Sequence, residues 1–205
     1  MTRVYFVRHG ESFANAGGVT MDNRLIPLND TGLVQASGIA ELLDFKAPEA
    51  LVSEFVRTQQ TARPYCGKHG LNPIVHPLLN EMSVIDANLI QGMTGIERRP
   101  LSEAYWAEAD PDKRMGDSAD TFREFGARVQ RFRLELLPTL KPDTVCFVHG
   151  FWLGMLIWQE MGFYSETQPD MKGFRQFHIG LPIPNCAVYR LQNSGKGEWS
   201  IKKAQ

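Results

Sequence analysis

An arginine and a histidine stand together at the end of an apolar run. Val4-Tyr5-Phe6-Val7 leads directly into Arg8-His9, and Gly10 follows. The pair suits phosphate chemistry. A guanidinium holds phosphate oxygens in a planar fork, and a neutral imidazole beside it can attack phosphorus. A second apolar run, Val145-Cys146-Phe147-Val148, ends in His149-Gly150. One histidine at a strand end is more often structural. Two at equivalent ends, one of them beside an arginine, favour a shared site. Each following glycine permits close backbone approach to a ligand.

Two further groups fall at comparable places. Arg57 follows the short run Ala50-Leu51-Val52-Ser53 and lies in the opening turn of the next helix. Glu81 follows Leu78-Leu79-Asn80, and a carboxylate flanked by apolar residues can have a raised pKa, which suits a general acid. Taken singly, each has a plainer alternative: a solvated helix arginine, and a surface carboxylate in a loop.

These residues converge only if the strands that carry them end at one edge of a sheet. Apolar runs rich in β-branched and aromatic residues predict strands at 4–7, 50–53, 72–76 and 144–148. Helices are expected over 32–45, capped by Asn29 or Thr31, over 56–66, over 96–109, over 119–137 and over 151–161. Cys186 to Leu191 and Trp199 to Lys202 read as a hairpin around Asn193-Ser194-Gly195. Alternating strands and helices imply an α/β three-layer sandwich, its central sheet mostly parallel with an antiparallel edge and covered by helices. In such sheets ligands bind at the carboxyl ends of the strands, where His9 and His149 emerge. The helix after Gly150 points the positive end of its dipole at the same place.

Composition narrows the function classes. The 205 residues are enough for one sizeable core, and the expected unit is a single domain over 1–205. The net charge of -1, with only the short basic pairs Arg98-Arg99 and Lys202-Lys203, lacks the basic footprint of a nucleic-acid binder. No apolar run suits a membrane span, and the N-terminus lacks a signal-peptide pattern. Three separated cysteines, Cys66, Cys146 and Cys186, read as reduced core residues of a cytoplasmic protein. A zinc deaminase would need Cys-x-x-Cys, and a zinc hydrolase a third ligand at suitable spacing; neither is seen. There is no Gly-x-Ser-x-Gly elbow and no complete P-loop. His69 reads as an exposed turn residue, and His76 and His178 as structural, with lining of the pocket as the lesser alternative.

Six blocks in order carry a family resemblance. Arg8-His9-Gly10-Glu11-Ser12 with Asn15 resembles the opening motif of the histidine phosphatase superfamily, in its phosphoglycerate mutase-like branch. Pro27-Leu28-Asn29-Asp30-Thr31-Gly32 is similar to the loop-to-helix segment, and Ser53 to Ala62 to the Ser-x-x-x-Arg-x-x-x-Thr-Ala motif. Leu79-Asn80-Glu81 resembles the acid motif and Val148-His149-Gly150 the second-histidine motif. Pro184-Asn185-Cys186 is similar to the start of the late strand. The resemblance implies a phosphoglycerate mutase-like fold and a small phosphorylated substrate, with no metal or other cofactor. It implies His9 as the nucleophile that becomes phosphohistidine. Arg8, Arg57, His149, Gly150 and Asn15 then bind the phosphoryl group, and Glu81 protonates the leaving oxygen.

Departures from the family pattern favour a phosphatase over a mutase. The family's mutases carry a tryptophan block soon after the asparagine, where this chain has Ala16 to Arg24. They also carry a longer basic insertion after the acid motif. A mutase-type phosphotransferase and a non-catalytic phospho-ligand-binding module are the alternatives. Phe151-Trp152 puts bulk after the second histidine and leaves open the backbone donor there. The segment 88–117 is expected to lie over the site as a lid. Its Met93, Arg98, Arg99, Tyr105 and Trp106 either choose the leaving group or pack the lid.

Overall fold

The computed structural model describes residues 2–193 and 199–204. A six-stranded sheet in the order β3-β2-β4-β1-β5-β6 is built from β1 (Thr2–Arg8), β2 (Ala50–Val52), β3 (Ile74–Val75), β4 (Thr144–Val148), β5 (Val188–Asn193) and β6 (Trp199–Lys203). The first four strands in that order are parallel, β5 runs antiparallel to β1, and β6 runs antiparallel to β5. The turn expected at Asn193-Ser194-Gly195 lies, from Ser194 on, outside the described residues. Arg8 is in register with Val148, so His9 and His149 leave neighbouring parallel strands at the same edge.

Strand alternation makes the layers. Val7, Val52, Val145 and Phe147 face a core shared with Ile39, Ala40, Ala62 and Tyr65 of helices α1 (Asp30–Leu42) and α2 (Val56–His69). Val4, Phe6, Leu51, Cys146 and Val148 face the other way. Their core is completed by α3 (Gly95–Glu108), α4 (Phe122–Arg131), α5 (Gly150–Glu160) and α6 (Gln168–Gly180).

Most expected elements form, with shifted ends. Asn29 caps α1, accepting from the Gly32 backbone N–H. Helix α2 runs past Cys66 to His69, where Gly70 at φ 63° closes it. His69 is therefore not an exposed turn residue; it is half-buried with its ring 4.7 Å from Tyr65. The long helix expected over 119–137 begins only at Phe122, because Thr121 and Glu124 form a capping box there. It then loosens into a π-helical turn (Phe132–Leu136) before Pro138. Helix α6 has no counterpart among the expected elements. Cys186 precedes β5 rather than lying in it, and is half-buried, whereas Cys66 and Cys146 are buried; all three are free thiols. Among the described residues no helix is long and apolar enough to cross a membrane.

Candidate active site

The loop after β1 is clamped before it can present His9. Gly10 donates to Thr61 Oγ1 (3.0 Å), a residue of α2. A Cβ on Gly10 would sit 2.6 Å from the Gly32 carbonyl oxygen, and one on Gly32 would sit 2.0 Å from that of Glu11. The two glycines therefore let the loop press against the N-terminus of α1. Glu11 joins the two sides: its backbone carbonyl accepts from Asn29 N (3.0 Å) and its Oε1 from Asn29 Nδ2 (2.6 Å).

This clamp fixes the imidazole. His9 Nδ1 lies 2.7 Å from the Gly10 carbonyl, which makes Nδ1 the protonated nitrogen and leaves the lone pair on Nε2. Arg57 Nε donates to that Nε2 across 3.2 Å. Burial, then the Arg57 and Arg8 guanidinia, hold His9 well below the usual imidazole range. It is a neutral base with its reactive nitrogen exposed to two cations.

The other predicted residues gather around it. The His149 ring stands edge-on to His9 with centroids 5.2 Å apart. Its Nε2 is tied to Ser53 Oγ at 2.8 Å, and Ser53 is held in turn by Thr58 Oγ1 at 2.8 Å. Burial and then Arg57 keep His149 neutral too. His149 Nδ1 and Arg8 Nε are buried without a hydrogen-bond partner among the described residues. Arg57 is anchored by donating to the Asn23 carbonyl (2.6 Å), with its Cζ 4.7 Å over the Phe55 ring. Arg8 donates to the Ile183 carbonyl. Burial lowers the pKa of both arginines, Arg57's to about 10, so both are cations at neutral pH.

Glu81 takes a place that sequence reasoning left for the ligand. Its Oε1 accepts from Met82 N (3.0 Å) and Trp152 N (2.9 Å), and its Oε2 from Phe151 N (3.0 Å). The N-terminus of α5 does point at the site, but a carboxylate already covers it. Phe151 does carry the backbone donor that was in doubt, and its target is Glu81. Burial is the largest influence on Glu81 and raises its pKa above the usual carboxylate value, against the pull of Arg57 and these N–H groups.

Asn15 uses its Oδ1 to accept from Ser12 N (3.2 Å), Ser12 Oγ (3.0 Å) and Asn185 Nδ2 (3.3 Å), leaving its amide hydrogens as donors. Gly150 lines the cavity and makes room for Arg8, whose Nε would lie 3.3 Å from a Cβ placed there. Together Arg8, His9, Asn15, Arg57, Glu81 and Gly150 line one cavity of about 330 Å³, with His149 buried behind it.

Several contributors escaped sequence reasoning. Asn185 donates to the His9 carbonyl (3.0 Å), and the Asn23 and Ile183 carbonyls hold the arginines. Backbone acceptors carry no sequence signal. Asn185 lay within a quoted motif but had no assigned role. Within the expected lid, Tyr105 and Trp106 are buried core residues, so they pack. Arg98 lines the cavity that holds His9 and an adjoining one of about 410 Å³, held by Thr20 Oγ1 (2.7 Å) and the Gly18 carbonyl (3.3 Å).

Comparisons with known proteins bear on the family and the fold. The family model described as the histidine phosphatase superfamily (branch 1) matches residues 4–205. A protein of Enterobacter sp. (strain 638) named "Probable phosphoglycerate mutase GpmB" is 29% identical over 200 residues, covering 93% of this chain and 85% of its own. The alpha-ribazole phosphatase structure from Shigella flexneri superposes with a TM-score of 0.76 at 23% identity, over 98% of this chain and 95% of that one. A mycobacterial glucosyl-3-phosphoglycerate phosphatase superposes with a TM-score of 0.74 at 19% identity, over 98% and 97%. The chain belongs to the histidine phosphatase superfamily, branch 1.

Proposed function

We propose that the chain is a metal-independent phosphatase that hydrolyses phosphate monoesters through a phosphohistidine at His9, acting on small substrates in the cytoplasm. The observation that carries this reading is the His9 geometry. Nδ1–H is spent on the Gly10 carbonyl, so Nε2 carries the ring's lone pair, and it faces the Arg57 guanidinium, which can hold a phosphoryl group.

In the first half-reaction His9 Nε2 attacks phosphorus and the bond from phosphorus to the ester oxygen breaks. Protonated Glu81 gives its proton to that oxygen, and the alcohol leaves. Oε1 accepts two backbone N–H groups and Oε2 only one, so Oε2 is the better site for the proton. Arg8, Arg57 and His149 Nδ1 bind the non-bridging oxygens, which satisfies Arg8 Nε and His149 Nδ1, and Asn15 and Gly150 complete the cradle. In the second half-reaction the Glu81 carboxylate takes a proton from water. The water oxygen attacks phosphorus, the bond to Nε2 breaks, and inorganic phosphate leaves. His9 is again neutral and Glu81 again protonated.

The positive field comes from guanidinia, so a divalent cation has no step to perform. Hydrolysis of a panel of phosphate monoesters should therefore persist in excess chelator. Activity that disappears with chelator and returns with a divalent metal would contradict the reading. A mutase reading draws support from the name of the curated relatives; it uses the same phosphoenzyme but transfers the phosphoryl group to a second alcohol. Release of inorganic phosphate in step with alcohol separates the two.

A further inference from the structure

Helix α6 brings a third histidine to the catalytic cavity. His178 lines the same cavity as His9 and Glu81. Its ring stacks on Phe151 with centroids 4.3 Å apart and planes 15° apart. Phe151 in turn stacks on buried Trp106, at 5.5 Å and 18°. The backbone N–H of Phe151 holds the Glu81 oxygen that would carry the proton. The imidazole and the Glu81 oxygen that would protonate the departing alcohol therefore both contact Phe151 at the border of this cavity.

The ring is held in one orientation. One nitrogen donates to the Gly150 carbonyl, and the Cδ2 edge lies against Gly154, where a Cβ would come within 3.1 Å. Burial, and the Arg175 and Arg8 cations, push its pKa down to about 4, so at neutral pH it cannot act as the proton donor. A neutral imidazole that donates through one nitrogen must accept through the other.

Resting on the phosphatase reading, we infer that His178 is a specificity-determining residue. Its free ring nitrogen accepts a hydrogen bond from a second hydroxyl on the leaving alcohol. The preferred substrates are then monophosphates of polyols rather than of simple alcohols. A site built to hydrogen-bond a hydroxyl discriminates against the analogue that lacks it.

Glycerol 3-phosphate and n-propyl phosphate form a matched test, because both leave as primary alcohols and both need the Glu81 proton. The wild type should favour the glycerol ester in kcat/KM by roughly tenfold, the effect of one neutral hydrogen bond. His178→Phe keeps a ring to stack on Phe151 and should erase that preference. His178→Gln restores an acceptor and should recover part of it. Orthovanadate binding by each variant checks that the phosphoryl site is still folded; should His178→Phe fail that check, His178→Gln and His178→Asn decide. Equal handling of the two esters by the wild type, or a preference that survives in His178→Phe, would overturn the inference. So would a wild type that cleaves an aryl phosphate and neither alkyl ester. Absence of turnover on any monoester would instead be a failure of the phosphatase reading itself.

Discussion

Arg57 Nε donates to His9 Nε2 across 3.2 Å, so the lone pair that would attack phosphorus already faces a guanidinium hydrogen. Arg57 is 5% exposed and anchored on the Asn23 carbonyl, so it cannot swing away freely. The arrangement keeps His9 neutral and places a forked donor where the phosphoryl oxygens must lie. Arg57→Met should weaken orthovanadate binding on the order of tenfold to a hundredfold, the range for hydrogen bonds to a charged group. Arg57→Lys returns the charge without the fork and should recover only part of that. Isothermal titration with orthovanadate measures both, and unchanged affinity in Arg57→Met would remove Arg57 from the phosphoryl site.

Glu81 has to be protonated before the alcohol leaves. Burial raises its pKa, so that form persists to higher pH than in an ordinary carboxyl and is lost as pH rises through the folded-state value. His9 stays neutral well below 6.5 and so places little restriction on the acid side. The rate of His9 phosphorylation by an alkyl ester should therefore fall with rising pH. Glu81→Gln should slow that step far more for an alkyl phosphate than for an activated aryl phosphate, whose phenolate needs less protonation. Single-turnover rates on the two esters test this; equal losses would make Glu81 structural.

The tight passage between Gly32 and the Glu11 carbonyl makes a prediction remote from the chemistry. Gly32→Ala would force a Cβ to within 2.0 Å of that backbone oxygen, and neither side is a flexible side chain. Stability should drop by roughly 1–3 kcal/mol or more, and the displaced loop carries His9, so turnover should drop as well. Urea unfolding with a parallel assay measures both, and a variant matching the wild type in both would show that the loop is not clamped as described.

Much of the candidate site was legible because two buried strands end in the same His-Gly pattern. Apolar runs such as Val4–Val7 and Val145–Val148 are strong strand signals, and parallel neighbours deliver their last residues to one edge. Arg57 was legible as the first turn of a helix that follows a strand. Helix α6 was not. Pro169, Gly173 and Gly180 look like breakers along its length. Pro169 falls in the first turn, where a missing N–H costs nothing, and Gly173 packs where a Cβ would meet Trp158 at 3.0 Å. The signal that could have found it is the Thr167–Asp170 capping box. Without α6, His178 has no place near His9. The position of Glu81 on the α5 N-terminus was hidden for another reason. Nothing in the spacing tells whether a helix dipole meets a ligand or a side chain.

Buried neutral histidines tie stability to pH. The folded-state pKa values of His9 and His149 lie well below 6.5, so as pH falls through 6.5 the unfolded chain binds protons that the folded one refuses. Their contribution is complete above 6.5 and is lost progressively below it. Glu81 works in the opposite sense above 4.5, because the folded state keeps its proton longer. His149→Asn removes one histidine contribution and leaves Glu81 in place. Its urea midpoint should therefore fall less than that of the wild type between about pH 7.5 and about pH 5.5. Equal falls would mean that His149 accepts a proton in the folded state.

The most direct measurement is the phosphoenzyme. A rapid mix of enzyme with an aryl phosphate, quenched in alkali to preserve the phosphoramidate and digested for mass spectrometry, should show one phosphoryl group on His9. The label should appear no more slowly than the first product is released and decay with release of inorganic phosphate. His9→Ala should lose the label and roughly a thousandfold or more of turnover, as removal of a covalent nucleophile requires. A label on another residue, or near-wild-type turnover by His9→Ala, would contradict the account.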